Sequence, residues 1–247
     1  HGLPVLVLVE GWGTAGKGSL IGQIIKNIDP RFFKVASMAA PTEEEKRKPF
    51  LYRHFAKIPE AGQFVFLDTA WMDEITEERL HGTISEDVYA NRIESVRRFE
   101  RQLTDNGYLV MKFFLHISKK EQSRRIAQLE HQKDTWRVSK KDLWQNEHYE
   151  KCMDVFSGYL KNTNMPSAPW YIIDAKSRKW TEVQILETLT QGIEIALSNH
   201  QMAVPLLQNV FPLKKMPLLC DIPLDKCMEE DVYKKELKQL QQRLGGL

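Results

Sequence analysis

Cysteine is scarce in this 247-residue chain: Cys152, Cys220 and Cys227, far apart and odd in number. That excludes a disulfide framework and a paired-cysteine metal site, and it suits a reducing cytoplasm. Long apolar runs are also missing. The longest, residues 3–9, is far too short to span a bilayer, and nothing reads as a signal peptide. Neither sign of charge dominates. The net +2 gives no global field that would select nucleic acid or an anionic membrane, and neither partner is expected. Internal repeats and low-complexity tracts are absent. His54, His81, His116, His131, His148 and His200 share no metal-binding spacing and are assigned to the surface or to satisfied packing. With 42% hydrophobic and 28% charged residues, 13 Gly and 11 Pro, the chain can bury the core of one large domain or one and a half. It opens at His1-Gly2 directly before its first strand, as if cut from something longer.

What is present begins at residue 5. The run Val5-Leu6-Val7-Leu8-Val9 is a buried strand, Gly11-Trp12-Gly13-Thr14-Ala15-Gly16-Lys17-Gly18-Ser19 a glycine-rich loop, and residues 20–27 have helical periodicity. Strand, Gly-x-x-x-x-Gly-Lys, helix is the setting of a phosphate-binding loop. Glycines let successive N–H groups face phosphate oxygens, the helix start adds its positive end, and Lys17 adds a point charge. Gly11, Gly13, Thr14, Ala15, Gly16, Lys17, Gly18 and Ser19 are the candidate phosphate ligands. A plain strand-to-helix turn is the alternative. Gly18 stands where many nucleotide hydrolases place the Ser or Thr that holds Mg²⁺, and Ser19 is one place late.

Strand and helix patterns then alternate, which predicts an α/β fold with a mostly parallel sheet and helices on both faces. The strand candidates are residues 4–9, 33–38, 63–67, 108–117 and 170–174. Helices are expected over 43–56 with Thr42 as N-cap, 85–106 stopped by Asn106-Gly107, from the Ser118–Glu121 capping box to about 132, 139–160 and 181–197. Beyond residue 199, Pro205, Pro212, Pro217 and Pro223 punctuate an extended crossing. Residues 229–244 then read as an amphipathic helix with Val232, Leu237, Leu240 and Leu244 on one face.

Three further segments bear on chemistry. In 40–55, Arg53 is either a ligand or a snorkelling surface arginine. Asp68 closes an apolar strand, the place where phosphate-loop enzymes hold Mg²⁺. Lys119, Lys120, Arg124, Arg125, Lys133, Arg137, Lys140 and Lys141 face only Glu121, Glu130 and Asp134 between 119 and 141. Such an excess suits a polyanion groove or a lid over phosphates, or else a salt-bridged exposed helix pair. The six tryptophans read as core and interface anchors, with Trp136 the one placed to meet a ligand.

In order and spacing these segments resemble the polyphosphate kinase 2 family, whose members carry G-x-D-x-x-G-K-G, P-T-x-E-E…L-W-R-F, F-D-R-S-W-Y, F-E…K-x-x-L-H-I-S-K-x-E-Q…R and A-P-W…I-I. The matching stretches are Gly11–Gly18, Pro41–Phe55, Phe66–Met72, Phe99–Arg125 and Ala168-Pro169-Trp170. The resemblance spans about residues 3–197. It implies a three-layer α/β/α phosphate-loop kinase fold with a parallel five-stranded sheet and a helical lid at about 118–160. It implies Mg²⁺-dependent phosphoryl transfer between inorganic polyphosphate and AMP or another nucleotide, with Lys17, Asp68, Arg53 and Lys112 catalytic, Asp68 the metal ligand, and Arg124, Arg125 and Arg137 on phosphate. It also implies a homo-oligomer. The tail resembles the helix that precedes the loop in this family. On that basis residues 1–199 are the first domain of a tandem phosphotransferase, and 200–247 connect it to a second. Two family residues are replaced: the loop aspartate by Gly13 and the strand-end arginine by Thr69, with Ala70 and Met72 following. These losses predict a catalytically degraded copy that supports polyphosphate binding or assembly, and Gly13→Asp with Thr69→Arg is expected to raise its activity. The alternatives are an active polyphosphate-dependent kinase and, more distantly, an ATP-dependent nucleoside monophosphate kinase.

Overall fold

The computed structural model describes residues 2–38, 41–132, 137–199, 229–232 and 234–235. Lys133, Trp136, the proline-punctuated connector and most of the expected 229–244 helix lie outside the described residues. The chain divides into two units, 1–204 and 205–247. In the second, residues 230–232 and 234–235 are helical and exposed.

The first unit is built on five strands: β1 (Val5–Gly11), β2 (Phe33–Ser37), β3 (Phe64–Asp68), β4 (Leu109–His116) and β5 (Trp170–Asp174). Their order is β2-β3-β1-β4-β5 and all four pairings are parallel. A strand covered on both faces calls for a near-continuous apolar run, which β1 has over Val5–Val9 and β4 has apart from Lys112. Helices α1 (Lys17–Ile24), α4 (Trp71–Leu80), α5 (Glu86–Asp105), α8 (Tyr149–Thr163) and α9 (Arg178–Asn199) supply that cover. The short helices α2 (Glu43–Lys46) and α3 (Tyr52–Phe55) follow β2. Helices α6 (Lys119–His131) and α7 (Lys140–Glu147) fill the lid segment. This is the three-layer α/β/α phosphate-loop kinase fold with a helical lid.

The expected 43–56 helix is two helices. Thr42 is the anticipated N-cap and forms a capping box with Glu45, but Lys48-Pro49 interrupts the chain because proline offers no N–H and restricts the residue before it. The expected 139–160 helix also breaks, at His148 (φ −101°, ψ 33°), whose ring stacks on Trp144 at 4.4 Å. Helix α4 was not expected from sequence. Trp71, Met72, Ile75, Thr76 and Leu80 do form its buried stripe, but Asp73, Glu74, Glu77 and Glu78 crowd the same turns.

Candidate functional site

The sheet grows outward in both directions from β1, so a crevice opens at the carboxyl end of β1, beside β3 and β4. The loop from Gly11 to Gly16 lies there. Gly11 has φ 133°, and a side chain on it would collide with the Leu115 carbonyl. Thr14 and Gly16 turn left-handed, at φ 58° and 100°, and swing the chain into α1. The first-turn N–H groups of α1 have no partner within the helix and carry its positive end. Lys17 Nζ curls back to donate to the carbonyls of Gly11 (3.1 Å) and Trp12 (3.2 Å). Trp12 is wholly buried, stacked on Tyr149 at 4.1 Å, and its Nε1 donates to His116 Nδ1 at 3.1 Å.

Opposite the loop stand carboxylates. Asp68 ends β3 in register with Val9, and its Oδ2 lies 3.3 Å from where a Gly18 Cβ would stand. Burial raises the Asp68 carboxyl and the Lys17 ammonium opposes that rise. Glu10 is buried at the end of β1 and accepts from the Ala70 N–H at 2.7 Å. Desolvation first, then Asp73, push its carboxyl up to about 8. Thr69 is left-handed at φ 62° and its hydroxyl donates to the Asp68 carbonyl at 2.5 Å. It offers no cation. Lys141 on α7 pairs with Asp73 at 2.5 Å and Glu77 at 3.1 Å.

Among the described residues no three His, Cys, Asp or Glu converge as a metal cage. One half-buried carboxylate beside the loop still fits Mg²⁺, which is commonly held by one or two carboxylates together with substrate phosphates and water.

The lid clamps the loop. Gln145 on α7 accepts from the Gly13 N–H at 2.9 Å, and Gln122 on α6 donates to the Gly13 carbonyl at 3.2 Å. The buried Arg125 guanidinium bonds the carbonyls of Thr14 (3.1 Å), Ala15 (2.9 Å), Ala175 (2.6 Å) and Lys176 (3.0 Å), while Glu121 accepts from its Nε at 2.8 Å. Arg124 and Arg125 hold the Glu121 carboxyl down to about 2.

The sequence-predicted residues therefore separate into groups. Lys17, Asp68 and the loop from Gly11 to Ser19 are brought together. Lys112 is not with them: it is fully buried inside the sheet, bonded to Glu100 at 2.6 Å and the Thr163 carbonyl at 2.8 Å, over the Trp170 ring. It is a core ion pair. Arg125 is corrected likewise, because backbone carbonyls and Glu121 take its donors. It fastens the loop. Arg124 points outward onto Glu121 and Gln128. Arg137 is exposed just ahead of α7. Arg53 is buried 4.0 Å from Glu74 on the first turn of α4. His54 departs from satisfied packing: it lies buried against Trp71 and neither ring nitrogen has a hydrogen-bond partner among the described residues. Sequence reasoning gave no role to Glu10, Gln122 or Gln145. Glu10 carried a signal, an acid closing an apolar strand, and Gln122 stands in the Glu-Gln pair of the family stretch quoted above, whereas Gln145 carried none.

Fold and site define a phosphate-loop α/β protein of the kinase type with its lid seated. The family profile of polyphosphate kinase 2 matches residues 1–201, and the chain belongs to that family. It is 30% identical over 99% of its length to a polyphosphate:AMP phosphotransferase of Pseudomonas aeruginosa, covering 50% of that protein. It is 29% identical to the AMP/ADP-polyphosphate phosphotransferase of Meiothermus ruber, over 76% of this chain and 72% of that one. Among solved structures, a polyphosphate kinase 2 from Arthrobacter aurescens aligns with TM-score 0.74 at 27% identity, over 86% of this chain and 74% of that one. The chain spans about half the length of the polyphosphate:AMP phosphotransferases it matches.

Proposed function

We propose that this chain is a phosphotransferase domain acting between inorganic polyphosphate and AMP or another nucleotide, as one of two such domains in a longer cytoplasmic protein. The observation that carries the reading is the meeting of Lys17, the α1 N-terminus and Asp68 at one strand-end crevice. Lys17 needs only a side-chain rotation to exchange two carbonyls for phosphate oxygens. The α1 N–H groups then bind a phosphate, and Asp68 with the phosphates would hold Mg²⁺, which neutralises phosphoryl charge when bound. Both substrates are phosphates, so positioning and charge neutralisation suffice and no covalent step is required. Val35 and Ile172, exposed on the two edge strands, support assembly with further chains.

On this reading turnover by the chain itself is low. Thr69 has no fork donor, and Lys141 is neutralised by Asp73 and Glu77. A coupled assay with Mg²⁺, long-chain polyphosphate and AMP or ADP tests it. Thr69→Arg should raise turnover about tenfold or more, since an arginine on a transferring phosphoryl group is worth that and more. A Thr69→Arg chain that still binds polyphosphate and stays inert would sink this explanation. Brisk turnover by the parent chain, abolished by Lys17→Ala, would favour an active enzyme instead.

A further inference from the structure

Between the first turns of α1 and α9, which pack together, lies a cavity of about 150 Å³. A space of that size takes one aromatic ring. Its wall is apolar where Ala15, Leu20, Leu115 and Ala175 line it, all of them buried. Gly16 lines it too, so the cavity runs on from the helix start where the loop would hold a phosphate. Gln23 and Arg178 line it from exposed positions, and Glu182 from a half-buried one. Neither Arg178 nor Glu182 has a hydrogen-bond or ion-pair partner among the described residues, although they stand four apart on one helix.

Inorganic polyphosphate gains nothing from this lining. It is charged at every unit, the wall is apolar, and the Glu182 carboxylate repels it. The lining suits a flat, uncharged group that buries its faces and donates from its edge, because a carboxylate only accepts hydrogen bonds. We infer that the cavity receives the amino-bearing base of a nucleoside di- or triphosphate whose phosphates lie on the α1 N-terminus, with Arg178 the cation at the mouth. Polyphosphate and nucleotide are then alternative occupants of one phosphate cradle. The inference rests on the phosphate-binding role proposed for the loop and deepens it by naming a second class of ligand there.

Three proteins test this: the parent chain, Gln23→Trp and Glu182→Ala. Gln23 is exposed, so a large ring there can lie across the cavity without disturbing the core. The ligands, at constant Mg²⁺, are ATP, purine riboside triphosphate (ATP without its amino group) and inorganic tripolyphosphate, which has three phosphates and no base. The parent should bind ATP about tenfold tighter than tripolyphosphate, as burial of a ring predicts. Gln23→Trp should erase that gain and leave tripolyphosphate affinity within about twofold, since the α1 N-terminus is untouched. The parent should prefer ATP to purine riboside triphosphate about fivefold, a preference that Glu182→Ala removes. ATP should displace tripolyphosphate competitively. Equal affinity of the parent for ATP and tripolyphosphate would overturn the inference, as would an ATP gain that both substitutions leave intact or binding of the two ligands together. Each of those results leaves the proposed function standing. No binding of tripolyphosphate or long-chain polyphosphate by the parent would overturn both.

Discussion

Two buried ionisable groups on neighbouring strands have opposite meanings. Lys112 on β4 is neutralised where it stands by Glu100, with Trp71 Nε1 donating to the same carboxylate at 3.2 Å. Removing one partner of a buried pair leaves the other uncompensated, so Lys112→Ala should cost about 3–5 kcal/mol. Chemical denaturation measures that, and any variant that still folds should bind polyphosphate as the parent does. Glu10 on β1 has no such partner at hydrogen-bond distance, and burial with Asp73 nearby favours its neutral form. Its carboxyl lies above the unfolded value. The stability it contributes is therefore fully present below about pH 4.5 and is lost as pH rises toward about 8. Glu10→Gln keeps an acceptor for the Ala70 N–H and removes the titration. Its unfolding temperature should fall less than the parent's between pH 5 and 8. Equal slopes would show that Glu10 is not the group responsible.

At the scale of elements, the lid and the loop stabilise each other. Arg125→Ala would leave four carbonyls around the loop and the start of α9 without their donor, at about 2 kcal/mol or more. Amide exchange in residues 12–16 should speed up selectively. Uniform change across the sheet would contradict the assignment of Arg125 to the loop. These contacts also mark where sequence reading stopped. The loop was legible because strand, glycines, lysine and helix are contiguous. The strands were legible as apolar runs. The seating of the lid was not, since Gln122 and Gln145 lie 109 and 132 positions from Gly13, and neither the family stretch around Gln122 nor the charged helix around Gln145 names that partner. Lys112 was misread because a lysine in a phosphate-rich reading looks functional, and its partner Glu100 lies 12 positions upstream on another element. Pro49 was visible, but the Thr42 N-cap ahead of it was read as opening one continuous helix.

For the whole molecule, the parallel sheet sets the loop, Asp68 and the lid around one crevice, and no helix among the described residues is long and apolar enough to cross a membrane. The net charge of +2 gives little general pull on a polyanion, so binding must come from the crevice itself. The most direct test is equilibrium binding of long-chain polyphosphate to the full chain and to its Lys17→Ala variant, at low and high salt. The account predicts affinity that falls as salt rises and drops about tenfold or more when Lys17 is removed. Affinity that Lys17→Ala leaves unchanged, or no binding by the parent chain at low salt, would contradict it.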